Sequence, residues 1–213
     1  MSIEVSGACK SFGATRVLSD LNLTMQDGGI YCLMGPSGAG KTTFLRILLG
    51  LETLDSGTVT GLARGEASAM FQEDRLCESL TSIDNVALVL GRRTSCRSVK
   101  ELLEELLPPE CLDRPVTSLS GGQRRRVSLV RAVAYPGAAI IMDEPFTGLD
   151  AKTRRQTIEF VLAHRGRRTL LVSTHGEEDA ALLGAQKLML SDLQGRDRRP
   201  SDRVNVERSL RCR

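Results

Sequence analysis

The residues Gly35, Pro36, Ser37, Gly38, Ala39, Gly40, Lys41 and Thr42 fit the spacing G-x-x-x-x-G-K-S/T, and Thr43 follows directly. Glycines in such a loop let the backbone curl so that successive N–H groups converge on one point. The apolar run Ile30 to Met34 precedes the loop, and a helical stretch from Lys41 to Leu49 follows it, with Gly50 placed to end the helix. Strand, glycine turn and helix start aim backbone donors and the positive end of a helix dipole at the same place, which suits a phosphate. Lys41 is then expected to reach the β- and γ-phosphates of a nucleoside triphosphate, with the Thr42 hydroxyl on magnesium. A glycine-rich turn before an ordinary helix is the plainer alternative. The apolar strand before the loop and the helix after it argue against that alternative.

A second group is acidic. The apolar run Ala138 to Met142 ends in Asp143 and Glu144. Ligands of open parallel sheets bind at the C-terminal edge of the strands, and neighbours on a strand face opposite ways, so the two acids should have different tasks. Asp143 is expected to hold magnesium through water, and Glu144 to act as general base on an attacking water. Taken alone, two acids there equally describe a polar strand terminus; the phosphate loop tips the reading toward chemistry. His175 closes another apolar run, Leu170 to Thr174. A structural hydrogen-bonding role and contact with the γ-phosphate are both open for it from the residues alone. His164, among Arg165, Arg167 and Arg168, reads as a solvated helix end.

The elements that must position these groups are legible as alternating strands and helices. Ile3–Val5, Val17–Leu18 and Leu21–Met25 alternate like short strands, punctuated by Gly13 and by Gly28 and Gly29, which predicts a small antiparallel sheet. The stretch from Leu76 to Pro115 has few strand signals. It carries an amphipathic helix predicted over Lys100–Leu107 and stopped by Pro108 and Pro109. Thr169 to Thr174 and Lys187 to Leu190 read as further strands. Apolar runs alternating with helices imply a mostly parallel sheet covered on both faces. The expected fold class is therefore α/β, a P-loop NTPase core with an N-terminal antiparallel β subdomain and a helical insertion. We expect one domain over 1–192, its helical part about 76–135, and a disordered basic tail over 193–213.

Apolar residues at 41% and charged residues at 26% of the 213 are globular values. The net charge of +3 is carried by the last residues, where Gly195 to Arg213 hold seven Arg against Asp197, Asp202 and Glu207. Cys9, Cys32, Cys77, Cys96, Cys111 and Cys212 show no C-x-x-C spacing, so zinc and a disulfide framework are not expected. Cys32 reads as a small core residue, and scattered thiols suit a reducing cytoplasm. No run approaches the roughly 18 apolar residues of a spanning helix, and the first residues lack the pattern of a signal peptide. Any membrane role should therefore come through a partner.

Leu119, Ser120, Gly121, Gly122 and Gln123 form a further segment. Ser120 and Gln123 have capping-box spacing, and the helix behind them carries Val127, Val130 and Ala134 on one side and Arg124, Arg125 and Arg126 on the other. The two glycines leave N–H groups with no side chains in the way of an anion. With the loop at 35–42, this segment resembles the signature sequence of the ATP-binding cassette (ABC) family, and the resemblance covers about residues 3 to 190. It implies that Ser120, Gly121, Gly122 and Gln123 bind the γ-phosphate of ATP held by a second copy of the chain. It also implies that Phe12 stacks on adenine, Gln72 reaches magnesium and senses a membrane subunit, Asp150 lies in a loop touching the partner copy, and His175 is the switch histidine. Two departures are visible: Thr147 and Gly148 replace a commoner Ser-Ala, and Asp179 stands where Glu is more usual.

The implied function is the ATPase of an ABC transporter, with ATP and Mg2+ as cofactors and transmembrane permease subunits as partners. Gln72, Glu73, Asp74, Arg75 and Leu76 resemble the segment found in nitrate, sulfonate and taurine importers, which implies import of a small anionic solute and adds an extracytoplasmic solute-binding protein to the expected partners; no nucleic-acid partner is expected. The implied location is cytoplasmic, peripheral on the inner face of the cell membrane. The alternatives are the free-standing ATPase of an exporter and a non-transport ABC ATPase. A helicase or kinase unrelated to cassettes would leave the signature segment unexplained.

Overall fold

The computed structural model describes residues 2–90 and 95–195. From the N-terminus, β1 (Ile3–Phe12) and β2 (Thr15–Met25) form a hairpin turned at Gly13 and Ala14. β3 (Ile30–Met34) runs through the glycine loop into α1 (Lys41–Leu48), and β4 (Ser56–Thr60) and β5 (Ala67–Met70) follow. The helical stretch holds α2 (Ser82–Ala87), α3 (Cys96–Glu104) and two 3₁₀ turns, Pro109–Cys111 and Val116–Ser118. After it come α4 (Gly121–Ala134), β6 (Ala139–Asp143), α5 (Ala151–His164), β7 (Thr169–Ser173), α6 (Glu177–Leu183), β8 (Gln186–Met189) and α7 (Leu190–Leu193).

The strands form an antiparallel sheet of order β2-β1-β4 and a five-stranded sheet of order β5-β6-β7-β3-β8, all of whose pairings are parallel. The chain is thus an α/β protein with an antiparallel β layer and a helical layer. Alternation within single strands divides the core. Tyr31, Leu33, Ala139, Ile141 and Leu171 face one apolar cluster with Phe44, Leu45, Ile47 and Leu48 of α1 and residues of the hairpin. Cys32, Met34, Ile140, Met142, Leu170 and Val172 face the other, against α3, α4, α5 and α6. Both faces of the central strands are therefore dry, as their unbroken apolar runs require, and α1 is clamped between the two sheets. Cys32 is fully buried, and burial pushes its thiol up to about 12, so it stays protonated.

Several elements differ from expectation. Val17–Leu18 and Leu21–Met25 belong to one continuous strand, with register irregularities along the hairpin, because pairing with β1 carries the chain across the polar residues between them. β4 and β5 were not anticipated, although Thr58, Val59 and Thr60 of β4 are β-branched residues that favour strands. β4 is almost wholly exposed, and Ala-Ser-Ala-Met has weak β propensity; pairing with β1 and β6 makes them strands. The helix expected over Lys100–Leu107 starts earlier, at Cys96, where the Ser95 side chain accepts from the Ser98 N–H at 3.2 Å. It ends at Glu104, and Leu106 and Leu107 turn inward before the two prolines. His164 is not simply solvated, since its Nε2 lies 2.9 Å from Glu105 Oε1 and its ring 4.5 Å from that of Phe160. The expected tail begins ordered: Gln194 bridges Leu21 and accepts from the Ser19 N–H at 2.9 Å, while its residues 196–213 lie outside the described residues.

Leu103 is fully buried and anchors α3 on this core. Leu103→Ala is expected to cost about 3 kcal/mol of stability, read from the urea midpoint. A loss below about 1 kcal/mol would show that the helical layer does not depend on this contact.

Candidate functional site

Three adjacent strand ends build the site. β7 lies between β3 and β6, and Ser173 at its end is opposite Leu33 on one side and Asp143 on the other. The glycine loop leaves β3 and enters α1 through Gly40, which takes the N-cap position at φ 101° and offers no side-chain cap. The starts of α2, α3, α4 and α5 are capped by Thr81, Ser95, Ser120 and Asp150. The first N–H groups of α1 thus point out with no side chain to receive them, which is an anion site in physical terms. Only glycine fits at Gly40, because a Cβ there would meet Val17 Cγ1 at 2.7 Å in addition to the left-handed φ. Ala39 is half-buried beside the hairpin's apolar cluster, while Ser37 and Gly38 face outward.

Lys41 arches over the loop, its Nζ donating to the carbonyls of Gly35 at 2.6 Å and Pro36 at 3.0 Å. The Thr42 hydroxyl donates to Asp143 Oδ2 at 2.7 Å, and the Ser173 hydroxyl donates to Asp143 Oδ1. Asp143, 5% exposed, is therefore oriented by two hydroxyls from two other elements. A carboxylate beside a hydroxyl is a hard oxygen donor set of the kind magnesium prefers.

Glu144 has already left β6. Its φ is 50°, a left-handed conformation costing about 1–2 kcal/mol for a residue with a Cβ, and Pro145 behind it disfavours helical backbone further. That turn, and not strand alternation, is what separates the two acids. The Glu144 N–H donates to the Ser173 carbonyl at 3.0 Å. Its Oε2 accepts from the Thr147 hydroxyl at 3.1 Å and from His175 Nδ1 at 3.0 Å. His175 is 73% exposed and Glu144 only 18%, so the histidine sits outermost. Behind it the Thr174 hydroxyl donates to Asp179 Oδ2 at 2.6 Å and accepts from the Gly176 N–H at 3.1 Å, which fixes the turn.

An open cleft of about 850 Å³ is lined by Gly35, Pro36, Ser37, Gly38, Gly40, Lys41, Thr42, Thr43, Gln72, Asp143, Glu144 and His175. The structure thus brings together most of the residues singled out from sequence. Phe12 is not among the lining residues; it stands at the hairpin tip, 49% exposed, under the Lys10 ammonium at 5.0 Å from its ring centroid. Asp150 caps α5, where hydrogen bonds from Thr153 hold its carboxyl below the usual carboxylate range. Ser120, Gly121, Gly122 and Gln123 also lie outside the cleft. The capping box is formed, Ser120 N–H donating to Gln123 Oε1 at 2.8 Å and Gln123 N–H to Ser120 Oγ at 3.3 Å, and a Cβ at either glycine would meet nothing within 4 Å.

Sequence reasoning missed several participants, among them Asp74 and Thr147, which also line the cleft. Ser173 lay inside the expected strand two residues before His175, and nothing in its residue type marked it as a partner of Asp143. Val17 lines the cleft from the hairpin. Arg125, read as part of a polar helix face, turns inward to the cleft and is 12% exposed; three consecutive arginines carry no periodic signal that would single out the middle one.

Residues 18–147 match the family described as ABC transporter. The chain is 41% identical over 200 residues to the aliphatic sulfonates import ATP-binding protein SsuB 1 of Rhodococcus jostii, covering 90% of this chain and 80% of that one. It is 38% identical over 200 residues to the sulfate/thiosulfate import ATP-binding protein CysA of Vibrio vulnificus, covering 84% of this chain but 58% of the relative, so it spans little more than half the length of that protein. Among solved structures, the dimeric bacterial ABC transporter cassette MJ0796 superposes with a TM-score of 0.77 at 26% identity, covering 88% of this chain and 94% of that one. The protein belongs to the ABC transporter family, and its α/β core is that of an ATP-binding cassette.

The loop geometry makes the glycines unequal. Gly38→Ala has room for its Cβ and incurs only the cost of φ 78°, whereas Gly40→Ala also meets Val17. Gly40→Ala should weaken nucleoside triphosphate binding by about tenfold or more, and by more than Gly38→Ala does, in a fluorescence titration. The reverse order would contradict the strain assigned to Gly40.

Proposed function

We propose that this chain is the ATP-binding and ATP-hydrolysing subunit of an ABC importer for a small oxyanion, working as a pair of identical cassettes. The observation that carries the reading is the contact of Glu144 with His175, placed beside an uncapped helix start and a carboxylate held by Thr42 and Ser173. The uncapped N–H groups of α1, Gly38 and Lys41 receive the β- and γ-phosphates; Lys41 exchanges its two loop carbonyls for phosphate oxygens. Thr42, Asp143 and Gln72 would hold Mg2+, and bound there the ion would neutralise charge on the phosphates. Glu144 takes a proton from the attacking water at Oε1 or Oε2, and His175, hydrogen-bonded to Oε2, orients that carboxylate and reaches toward the γ-phosphate.

A single chain does not complete the site, because the anion-ready start of α4 lies outside its own cleft. In a head-to-tail pair, Ser120, Gly121, Gly122 and Gln123 of one copy would close over the ATP of the other, with Asp150 at the contact and Phe12 against adenine. ATP then contributes contacts found only in the closed pair, which is what allows it to bias a conformational equilibrium. Among the described residues no helix is long and apolar enough to cross a membrane. Transport is assigned to transmembrane permease subunits, through which this chain sits on the inner face of the cell membrane, with an extracytoplasmic solute-binding protein delivering the solute. The oxyanion class is supported by relatives whose names specify sulfate, thiosulfate and aliphatic sulfonate import.

Glu144→Gln should bind ATP, lose hydrolysis by about a hundredfold or more, and elute as an ATP-bound dimer in size-exclusion chromatography. Near-normal phosphate release would remove Glu144 as the base. For the transport role, a multi-spanning permease is expected to co-purify from detergent-solubilised native membranes; recovery with soluble partners alone would leave the ATPase and overturn the importer.

A further inference from the structure

On α4, Arg125, Ser128 and Arg131 recur every third residue and so share one helix face. That face grips the chain segment after β5. Arg125 Nη1 donates to the carbonyls of Phe71 at 2.9 Å and Gln72 at 2.7 Å. The Ser128 hydroxyl donates to the Asp74 carbonyl at 3.0 Å, and Arg131 donates to the carbonyls of Asp74 at 3.0 Å and Arg75 at 2.9 Å. The segment from Phe71 to Arg75, Gln72 included, is therefore fastened by its backbone to the helix that begins at Ser120.

Arg125 does one thing more. Its second terminal nitrogen, Nη2, donates to the carbonyls of Glu144 at 2.6 Å and Asp143 at 3.2 Å. One planar guanidinium thus joins two bodies, the helical layer with Gln72 on one side and the end of β6 with both acids on the other. Asp74 Oδ1, 3.4 Å from Nη1, balances the charge of this mostly buried group. The left-handed turn at Glu144 directs its carbonyl at Arg125, so that hydrogen bond holds the unusual backbone in place.

We propose that Arg125 is a positioning residue, resting on the function assigned above: it holds Glu144 in its working posture and makes that posture depend on where the Gln72 segment and α4 stand. A shift of α4 would then be felt at the general base through one side chain. Lysine cannot reproduce the arrangement, because it has one nitrogen and no planar fork to span two segments.

The test uses the full chain. Arg125→Ala should lower kcat for ATP by about tenfold or more while nucleotide affinity stays within about twofold, because the phosphate loop is untouched. Free guanidinium at millimolar concentration should restore part of the lost turnover, urea should not, and Arg125→Lys should stay impaired. Unchanged kcat in Arg125→Ala would overturn the proposal. So would a loss of kcat and affinity together, with a lowered thermal midpoint and no response to guanidinium, which is the pattern of a purely structural arginine. Wild-type protein serves as the reference: absence of ATP hydrolysis there would sink the function itself, whereas normal wild-type turnover with an indifferent Arg125 sinks only this inference.

Discussion

The first turn of α1 is a helix start that no side chain caps, held where it cannot move away. Phe44, Leu45, Ile47 and Leu48 bury its apolar face between the parallel sheet and the hairpin sheet. The hydrophobic effect, non-directional in itself, thereby fixes the direction in which a set of unsatisfied N–H groups points. Everything else in the cleft is arranged around that direction. β3 delivers the loop, β7 and β6 bring Ser173, Asp143 and Glu144 beside it, and Gly40 is kept small because Val17 of the hairpin stands against it.

The two neighbouring acids show how backbone geometry separates tasks that sequence places side by side. Asp143 is the last residue of a buried strand, and both its oxygens accept from hydroxyls, so its orientation is set by Thr42 and Ser173. Glu144 is thrown out of the strand by a left-handed turn and meets the exposed His175 and the Thr147 hydroxyl. A strained conformation persists only where its surroundings over-determine it. Here the Glu144 N–H is held by Ser173 and its carbonyl by Arg125, one from each side of the turn.

α4 connects several of these local facts. Its first residues form a satisfied capping box with open space beside two glycines, its middle carries the Arg125, Ser128 and Arg131 face, and its apolar residues Val127, Val130 and Val133 seal the helical layer against the parallel sheet. One helix therefore spans an anion-ready surface, the Gln72 segment and the core. Rigid elements with discrete packing transmit displacement between sites better than loops do.

Much of this chain was legible as a string of residues. The glycine loop, the acids at 143 and 144, the capping box at 120–123 and the alternation of buried strands are short-range patterns, in which spacing along the chain equals geometry in space. β5 was not legible, because Ala-Ser-Ala-Met is a strand only by virtue of the partner it pairs with, and the Thr-Val-Thr run of β4 is too short and too exposed to mark a strand without β1 beside it. Arg125 was hidden for the same reason: whether an arginine on a helix faces water or four carbonyls depends on segments roughly twenty and fifty residues away. The sequence by itself determined which groups can hold a phosphate and a proton, since those are properties of residue type and local backbone. Only the tertiary structure decided which of them meet, how Glu144 turns, and that the Ser120–Gln123 start of α4 lies outside the cleft that Arg125 of the same helix lines, because those depend on long-range packing that no local pattern encodes.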